Sequence, residues 1–528
     1  MKNKSFFTDK SPFIKILGEK NNVIFTRPRR FGKSLVLQML RDYFDKNKRD
    51  QFDTVFGSLW IGEKDSGGNY LQETEDQGKY IILHIDFGSV GGLTSVSPDP
   101  LAPTKEFHEV VLGSVDLCVK RYNLTLSDTP TTAHRAIQLL RNAAPEGTPI
   151  FVFVDEYDTP FNSLILRSPI TPADKKTALD PLKLAYSSFL QALKAANTCN
   201  YMTGVLNVHI PEFSGFTPNR VSFDPDWHAF AGYTEDDVKH LLTQVKSLLL
   251  PDDPRLKLFQ EESALPLLTK AYNGYWFAIT DLKQPKMYNA DVVNNFVRFT
   301  LSEYRHPVGD ELSFAATTLS DNVLAFAASL PHHRYLLLDP MMDDFPSPVL
   351  ISKAVDMDQI LDIYDPMHQT KGMFWQILYD FGALTTKRVG ADGSNLLIGA
   401  PNEVARDEYL TAIADVIDPQ IRMNGIAKGA FLAMLESGNP TDFIRCYNDG
   451  FISIPNFERG GTDVKEPEGA FQVLLIACLL LFQKEGAFIS TSVVSSLTKE
   501  TLENTPISLW NQGTRNSRRP SLSSRLST

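Results

Sequence analysis

The 528-residue chain sets 52 lysines and arginines against 63 aspartates and glutamates, a net charge of -11, with 43% apolar residues. That length accommodates two or three domains with ordinary globular cores. The negative balance excludes general coating of a polyanion, so any phosphate or nucleic-acid contact has to come from a local basic patch. Cys118, Cys199, Cys446 and Cys478 form no C-x-x-C pair, which argues against a disulfide scaffold or a cysteine zinc site and for a reducing, intracellular setting, cytoplasmic or nuclear.

The opening residues are basic but lack the apolar core and cleavage site of a secretory signal. "NVIFT" (22–26) then predicts a strand and "KSLVLQMLRDYFD" (33–45) an amphipathic helix. "YIILHIDF" (80–87) reads as a strand, "TTAHRAIQLLRNAA" (131–144) as a helix and "PIFVFVDEYD" (149–158) as a strand that runs into acids. "DPLKLAYSSFLQALKAA" (180–196) is the next helix and "NYMTGVLNV" (200–208) the fourth strand. Strands that are apolar almost throughout belong to a parallel sheet covered on both faces by helices, so residues 1–230 are expected to form an α/β nucleotide-fold domain.

Thr234 followed three residues later by Asp237 predicts a capping box at the head of a helix through Leu250. From there, 231–350 is expected to be a mainly helical middle region, broken at Pro285, Pro307 and "SLPHHR". Segment 351–504 reads as a linker followed by a partial α/β C-terminal region, with a hairpin about the glycine-rich turn at 390–393, a helix starting at Asn402, and helices through 416–490. The apolar run Val473–Phe482 is about half of what crosses a bilayer, so no membrane segment is expected. The last stretch, 505–528, has four arginines, six serines and no acid, the composition of a disordered tail.

The chemistry concentrates in "TRPRRFGKS" (26–34). A phosphate loop works when closely spaced backbone N–H groups and a helix N-terminus face the phosphates. Lys33 then reaches the outer phosphates, Ser34 ligates Mg2+, and Gly32 lets the backbone approach closely. Arg27 stands where the usual G-x-x-x-x-G-K-S pattern opens with glycine, and it is counted here with Arg29, Arg30 and Lys33 as a basic patch. Arg29 and Arg30 are candidates for phosphate or nucleotide contact, because the guanidinium fork suits phosphate oxygens. At the mouth of the acidic strand, Asp155 is the candidate for the Mg2+ shell and Glu156 for orienting the attacking water. Asn207, with Thr203 behind it, is the candidate sensor of the terminal phosphate. Asp9 and Lys10 would close over the nucleotide. His332 and His333, with Asp343 and Asp344, lack zinc spacing and read as a polar loop.

These segments carry a resemblance. "FTDKSPFIKIL", "TRPRRFGKSLVLQML", "VFVDEYDTP", "MTGVLNVHIPEFSGFTPNRV" and "FAGYTEDDVKHLL" are similar to the AAA-ATPase-like family, whose members often carry a C-terminal nuclease-like domain of the PD-(D/E)XK superfamily. "AYNGYWF" with "YNADVV", and "ILYDFGALTT" with "LLIGAPNEVARDEYL", resemble that family's middle and pre-nuclease regions. The resemblance makes Arg27 a family trait and implies that Lys33, Ser34, Asp155 and Glu156 form a Mg-ATP site. It departs at Asn207, where relatives often have a basic residue. A nuclease part would need a helix glutamate, for which Glu468 is placed, and then a strand aspartate with Glu-x-Lys. Only Lys499-Glu500 follows, in the wrong order, so a truncated nuclease region is expected. Three functions follow as expectations: an ATPase switch working with a protein partner or its own copies, a nucleotide-dependent scaffold without turnover, and nucleic-acid processing, which rests only on the missing domain and the basic tail.

Overall fold

The computed structural model describes residues 8–18, 21–72, 75–90, 99–165, 172–209, 216–279, 281, 283–312, 347–349, 354–356, 371–389, 396–406, and single positions at 408, 433 and 441. The readings at His332, His333, Asp343, Asp344, the 390–393 turn, the 416–490 helices, Glu468, Lys499-Glu500 and the 505–528 tail lie outside the described residues.

In chain order the N-terminal part runs α1 (Pro12–Gly18), β1 (Val23–Thr26), α2 (Lys33–Phe44), α3 (Phe52–Phe56), β2 (Ile81–Asp86), α4 (Ala102–Arg121), α5 (Ala133–Ala143), β3 (Ile150–Asp155), α6 (Thr159–Ile165), α7 (Pro172–Ala195), β4 (Cys199–Gly204), β5 (Val208–His209) and β6 (Asn219–Arg220). Five of these strands make one sheet in the order β2-β3-β4-β1-β6, parallel throughout. The sheet is an α/β fold of the P-loop kind. Its strands bury nearly every side chain: all of β1 and β3 and most of β2 and β4 are inaccessible. That is why their sequences are apolar runs and do not alternate.

Two elements differ from the sequence expectation. Helix α4 has no counterpart there, although Phe107, Val111, Val115 and Cys118 recur on one face and are buried. Helix α7 begins at Pro172 and passes through Pro181, where the composition suggests a start. A proline there forfeits one helical hydrogen bond, a cost that packing against α4 and α5 offsets.

Beyond the sheet come α8 (Glu235–Ser247), α9 (Glu261–Tyr272) and α10 (Ala290–Glu303), sharing a core that includes Val238, Leu242, Leu268, Val293 and Phe296. The Thr234–Asp237 capping box is present, with Asp237 N–H donating to Thr234 Oγ1 at 3.1 Å and Thr234 N–H to Asp237 Oδ2 at 2.8 Å. The C-terminal part of this unit holds β7 (Ser347–Val349), β8 (Val355–Asp356), α11 (Lys371–Asp380), β9 (Thr385–Val389) and β10 (Leu396–Gly399). β9 and β10 pair antiparallel, and Asn402 Oδ1 accepts from Ala405 N–H at 2.9 Å to start the next helical turn. The described residues between 8 and 312 and between 347 and 405 pack as one compact unit, so the stretch just before residue 405 folds with the sheet domain. Among the described residues no helix is long and apolar enough to cross a membrane.

Candidate functional site

The site lies at the carboxyl ends of β1 and β3, with β4 between them. Gly32 caps α2 at φ 86°, in the left-handed region, and nothing crowds the place of a Cβ there. Glycine is needed for its backbone angle, not for space. Arg30 is also left-handed, at φ 65°. The carbonyls of residues 29–31 are each taken by a donor from beyond the sheet. Asn289 Nδ2 donates to Arg29 O at 3.2 Å, Asp291 N–H to Arg30 O at 3.3 Å and Gly232 N–H to Phe31 O at 2.7 Å. Phe31 is fully buried, its ring edge-on to Tyr275 at 4.9 Å and to Phe277 at 5.5 Å. Among the described residues the N–H groups from Arg29 to Ser34 meet no acceptor. With the head of α2 behind them they form an anion cradle.

Lys33 is buried, its ammonium donating to Pro28 O of its own loop at 3.2 Å. Ser34 lies beside Asp155, whose carboxylate accepts from Glu156 N–H at 3.0 Å. Burial pushes the Asp155 carboxyl above its ordinary range. The Ser34 hydroxyl opposes that shift, Glu156 adds to it, and Lys33 draws it back. Glu156 stands at φ 52° beside the loop, half-buried and lining the same cleft as Lys33 and Ser34. Asp86, the last residue of β2 and the register partner of Asp155, is a further acid at this edge, absent from the sequence-based candidates. An acid ending a run as apolar as "YIILHID" is the available signal. The cleft, about 1490 Å³, continues past the loop to Tyr233 and to Asn294, Asn295 and Arg298 on α10. It exceeds the roughly 300–1,000 Å³ of a typical small-ligand pocket, leaving room beyond the cradle for a base and ribose.

Arg29 and Arg30 both line this cleft, and Arg30 reaches Asp291 at 3.6 Å with both side chains well exposed. Arg27 does not belong to the basic patch. Only 2% exposed, its guanidinium donates inward to the carbonyls of Thr26 (2.9 Å), Ser222 (2.7 Å), Trp227 (3.1 Å) and His228 (3.3 Å). It lies over the rings of Phe25 at 4.5 Å and Phe277 at 4.1 Å. Burial lowers its pKa to about 9, which leaves it charged at neutral pH. Lys10 lines the cleft but is paired with Asp237 at 2.9 Å, and Asp9 turns away to accept from Ser11 and Trp60 N–H.

Asn207 requires a correction. It is fully buried outside the cleft, with its side-chain oxygen taken by Arg220 Nη1 at 2.6 Å and its N–H by Asp380 Oδ2 at 3.3 Å. The strand does not continue to it. β4 stops at Gly204 because Asp158, buried under the sheet edge, takes the N–H groups of Val205 and Leu206 at 3.1 and 2.6 Å. A Cβ on Gly204 would collide with that carboxylate. Thr203, the weaker candidate, is the one that stays on β4, buried beside Phe25 in the sheet.

Burial raises Asp158 to about 6, helped by Glu156, and raises Asp380 to about 8, against the pull of its bonds from Asn207 and Gln376. A carboxyl raised in the folded state holds a proton that the unfolded chain releases near pH 4, so its contribution to stability is full below that pH and is lost as pH rises through about 8 for Asp380. Asp380→Asn is therefore expected to gain on the parent between pH 5 and 8.5, by a few kcal/mol at most, since each pH interval of one between those limits contributes roughly 1.4 kcal/mol. Denaturant unfolding at the two pH values checks this. A difference independent of pH would show that Asp380 is not held protonated.

Among the described residues no three His, Cys, Asp or Glu side chains gather as a metal site. A cation here would rest on one serine, one aspartate and the ligand's own phosphates, the donor set a P-loop offers Mg2+. The chain is similar, at 28% identity over 240 residues, to a protein of Azotobacter chroococcum mcd 1 described as an uncharacterized protein in the vnfD 5' region. The match covers 44% of this chain and 40% of that one, so the chain aligns with less than half of its relative. Residues 1–213, which carry β1 through β4, the loop and the acidic strand end, match the model of the AAA-ATPase-like family, described as a predicted AAA-ATPase. Over those residues, less than half of the chain, the sequence is similar to AAA-ATPase-like domains.

Proposed function

We propose that this domain binds Mg-ATP and hydrolyses it slowly, as a conformational switch for a protein partner or for further copies of itself. The observation that carries the reading is the loop whose carbonyls at 29, 30 and 31 are each taken by a donor while its N–H groups meet none, with Lys33, Ser34 and Glu156 lining the cleft and Asp155 beside Ser34. The cradle and Lys33 would hold the phosphates. Ser34 and Asp155 would hold Mg2+, which supplies charge neutralisation at the phosphate oxygens when bound. Glu156 would orient a water and take its proton as the water oxygen bonds to the terminal phosphorus and the bond to the bridging oxygen breaks. The relative, at only 28% identity, assigns no reaction to this chain.

Glu156→Gln separates binding from turnover. The amide cannot accept the proton, so kcat is expected to fall at least about a hundredfold while Mg-ATP affinity stays within about threefold. Phosphate release and calorimetry on the same sample test this. Turnover that survives in the variant would favour another base, and a parent that binds without turning over would favour the scaffold reading.

A further inference from the structure

Glu156 holds a left-handed backbone angle that a non-glycine residue keeps only when its surroundings enforce it. The next two residues supply the enforcement by gripping segment 205–208. Tyr157 N–H donates to Thr203 O at 3.0 Å, while its hydroxyl donates to Leu206 O at 2.8 Å and accepts from Val208 N–H at 2.9 Å. Asp158 takes the N–H groups of Val205 and Leu206.

The same four residues are held from the other side by the C-terminal part of the unit. Asp380 accepts from Asn207 N–H at 3.3 Å and is itself held by Gln376 Nε2 at 3.1 Å. Val355 N–H donates to Asn207 O at 2.6 Å, extending the parallel pairing of β5 with β8. The segment is thus a strut with the acidic turn on one flank and β8 with α11 on the other. All of these groups are buried, so solvent offers no replacement partner if one flank lets go.

We propose that Asp380 is a positioning residue for Glu156, acting through segment 205–208, so that turnover depends on the docking of β8 and α11 while nucleotide binding does not. The inference rests on the ATPase reading of the Glu156 site. The phosphate cradle has its own fastenings, to Gly232, Asn289 and Asp291, and none of them passes through the strut.

The test uses the full chain and two substitutions. Asp380→Ala removes the acceptor for Asn207 N–H. It is expected to lower kcat at least tenfold with the Kd for Mg-ATP within twofold, and to speed hydrogen exchange at the Val205 and Leu206 amides. Asp380→Asn keeps an acceptor and is expected to restore most of kcat, which a loss of packing alone would not do. If the alanine variant fails to fold, Gln376→Ala, which removes the donor that holds Asp380, takes its place, with kcat expected to fall and the Kd for Mg-ATP to stay within twofold. A folded Gln376→Ala chain with unchanged kcat then overturns the coupling. A folded Asp380→Ala chain with unchanged kcat overturns the coupling and leaves the ATPase reading standing. A folded parent that binds no Mg-ATP overturns both.

Discussion

Lys33→Ala is expected to weaken Mg-ATP binding about a hundredfold or more. In the structure the Lys33 ammonium is buried, donates to Pro28 O and has the Asp155 carboxylate near enough to act on, so a phosphate would add a further anionic partner to a charge already fixed in place. A phosphate oxygen offers a charge-assisted bond inside a cleft where water competes weakly, worth roughly 1.5–3 kcal/mol. The long-range attraction adds to that, and a total near 3 kcal/mol corresponds to about two decades of affinity. Alanine leaves the loop's carbonyl fastenings and Gly32 in place, so the fold should persist. Calorimetry on the full-length variant, with near-ultraviolet circular dichroism as the check on folding, decides it. A Kd within about threefold of the parent would mean that Lys33 does not face the phosphates, and the cradle would lose its main support.

Arg27→Met is expected to cost about 3–5 kcal/mol of stability, since several buried carbonyls lose their donor at once and each unsatisfied buried group costs roughly 1–3 kcal/mol. The guanidinium serves four carbonyls from two stretches of chain and lies against two aromatic rings. Methionine fills much of the volume but donates nothing, leaving those oxygens to lose their charged donor together. Arg27→Lys should recover little, since a single ammonium cannot span carbonyls at 26, 222, 227 and 228. Urea unfolding of the parent and both variants measures the effect. A loss under about 1 kcal/mol in Arg27→Met would show that the loop is shaped elsewhere.

The contrast between Arg27 and its neighbours shows what the sequence can carry. The left-handed turn at Gly32, the helix start at Lys33 and the strand end at Asp155 are legible because each is local geometry. The direction of Arg27 depends on partners about two hundred residues away, which no local pattern reports. Asn207 is misleading for the same reason. "TGVLN" reads as a continuing strand, and only the carboxylate of Asp158, from the neighbouring strand's exit, ends it at Gly204. The Thr234–Asp237 cap is legible because both partners lie within one turn. Helix α4 carries its apolar stripe in plain view, but its polar faces and proline-rich approach mask it.

The residues that take the loop's carbonyls, Gly232, Asn289 and Asp291, and the rings that pin Phe31, Tyr275 and Phe277, all lie beyond residue 213, where the family match ends. For anyone excising this domain for reuse, the recognisable module and the workable part are of different lengths. A fragment cut near residue 230 would contain every catalytic candidate and none of these supports. The shortest piece expected to keep a formed cradle reaches at least through α10, to Glu303.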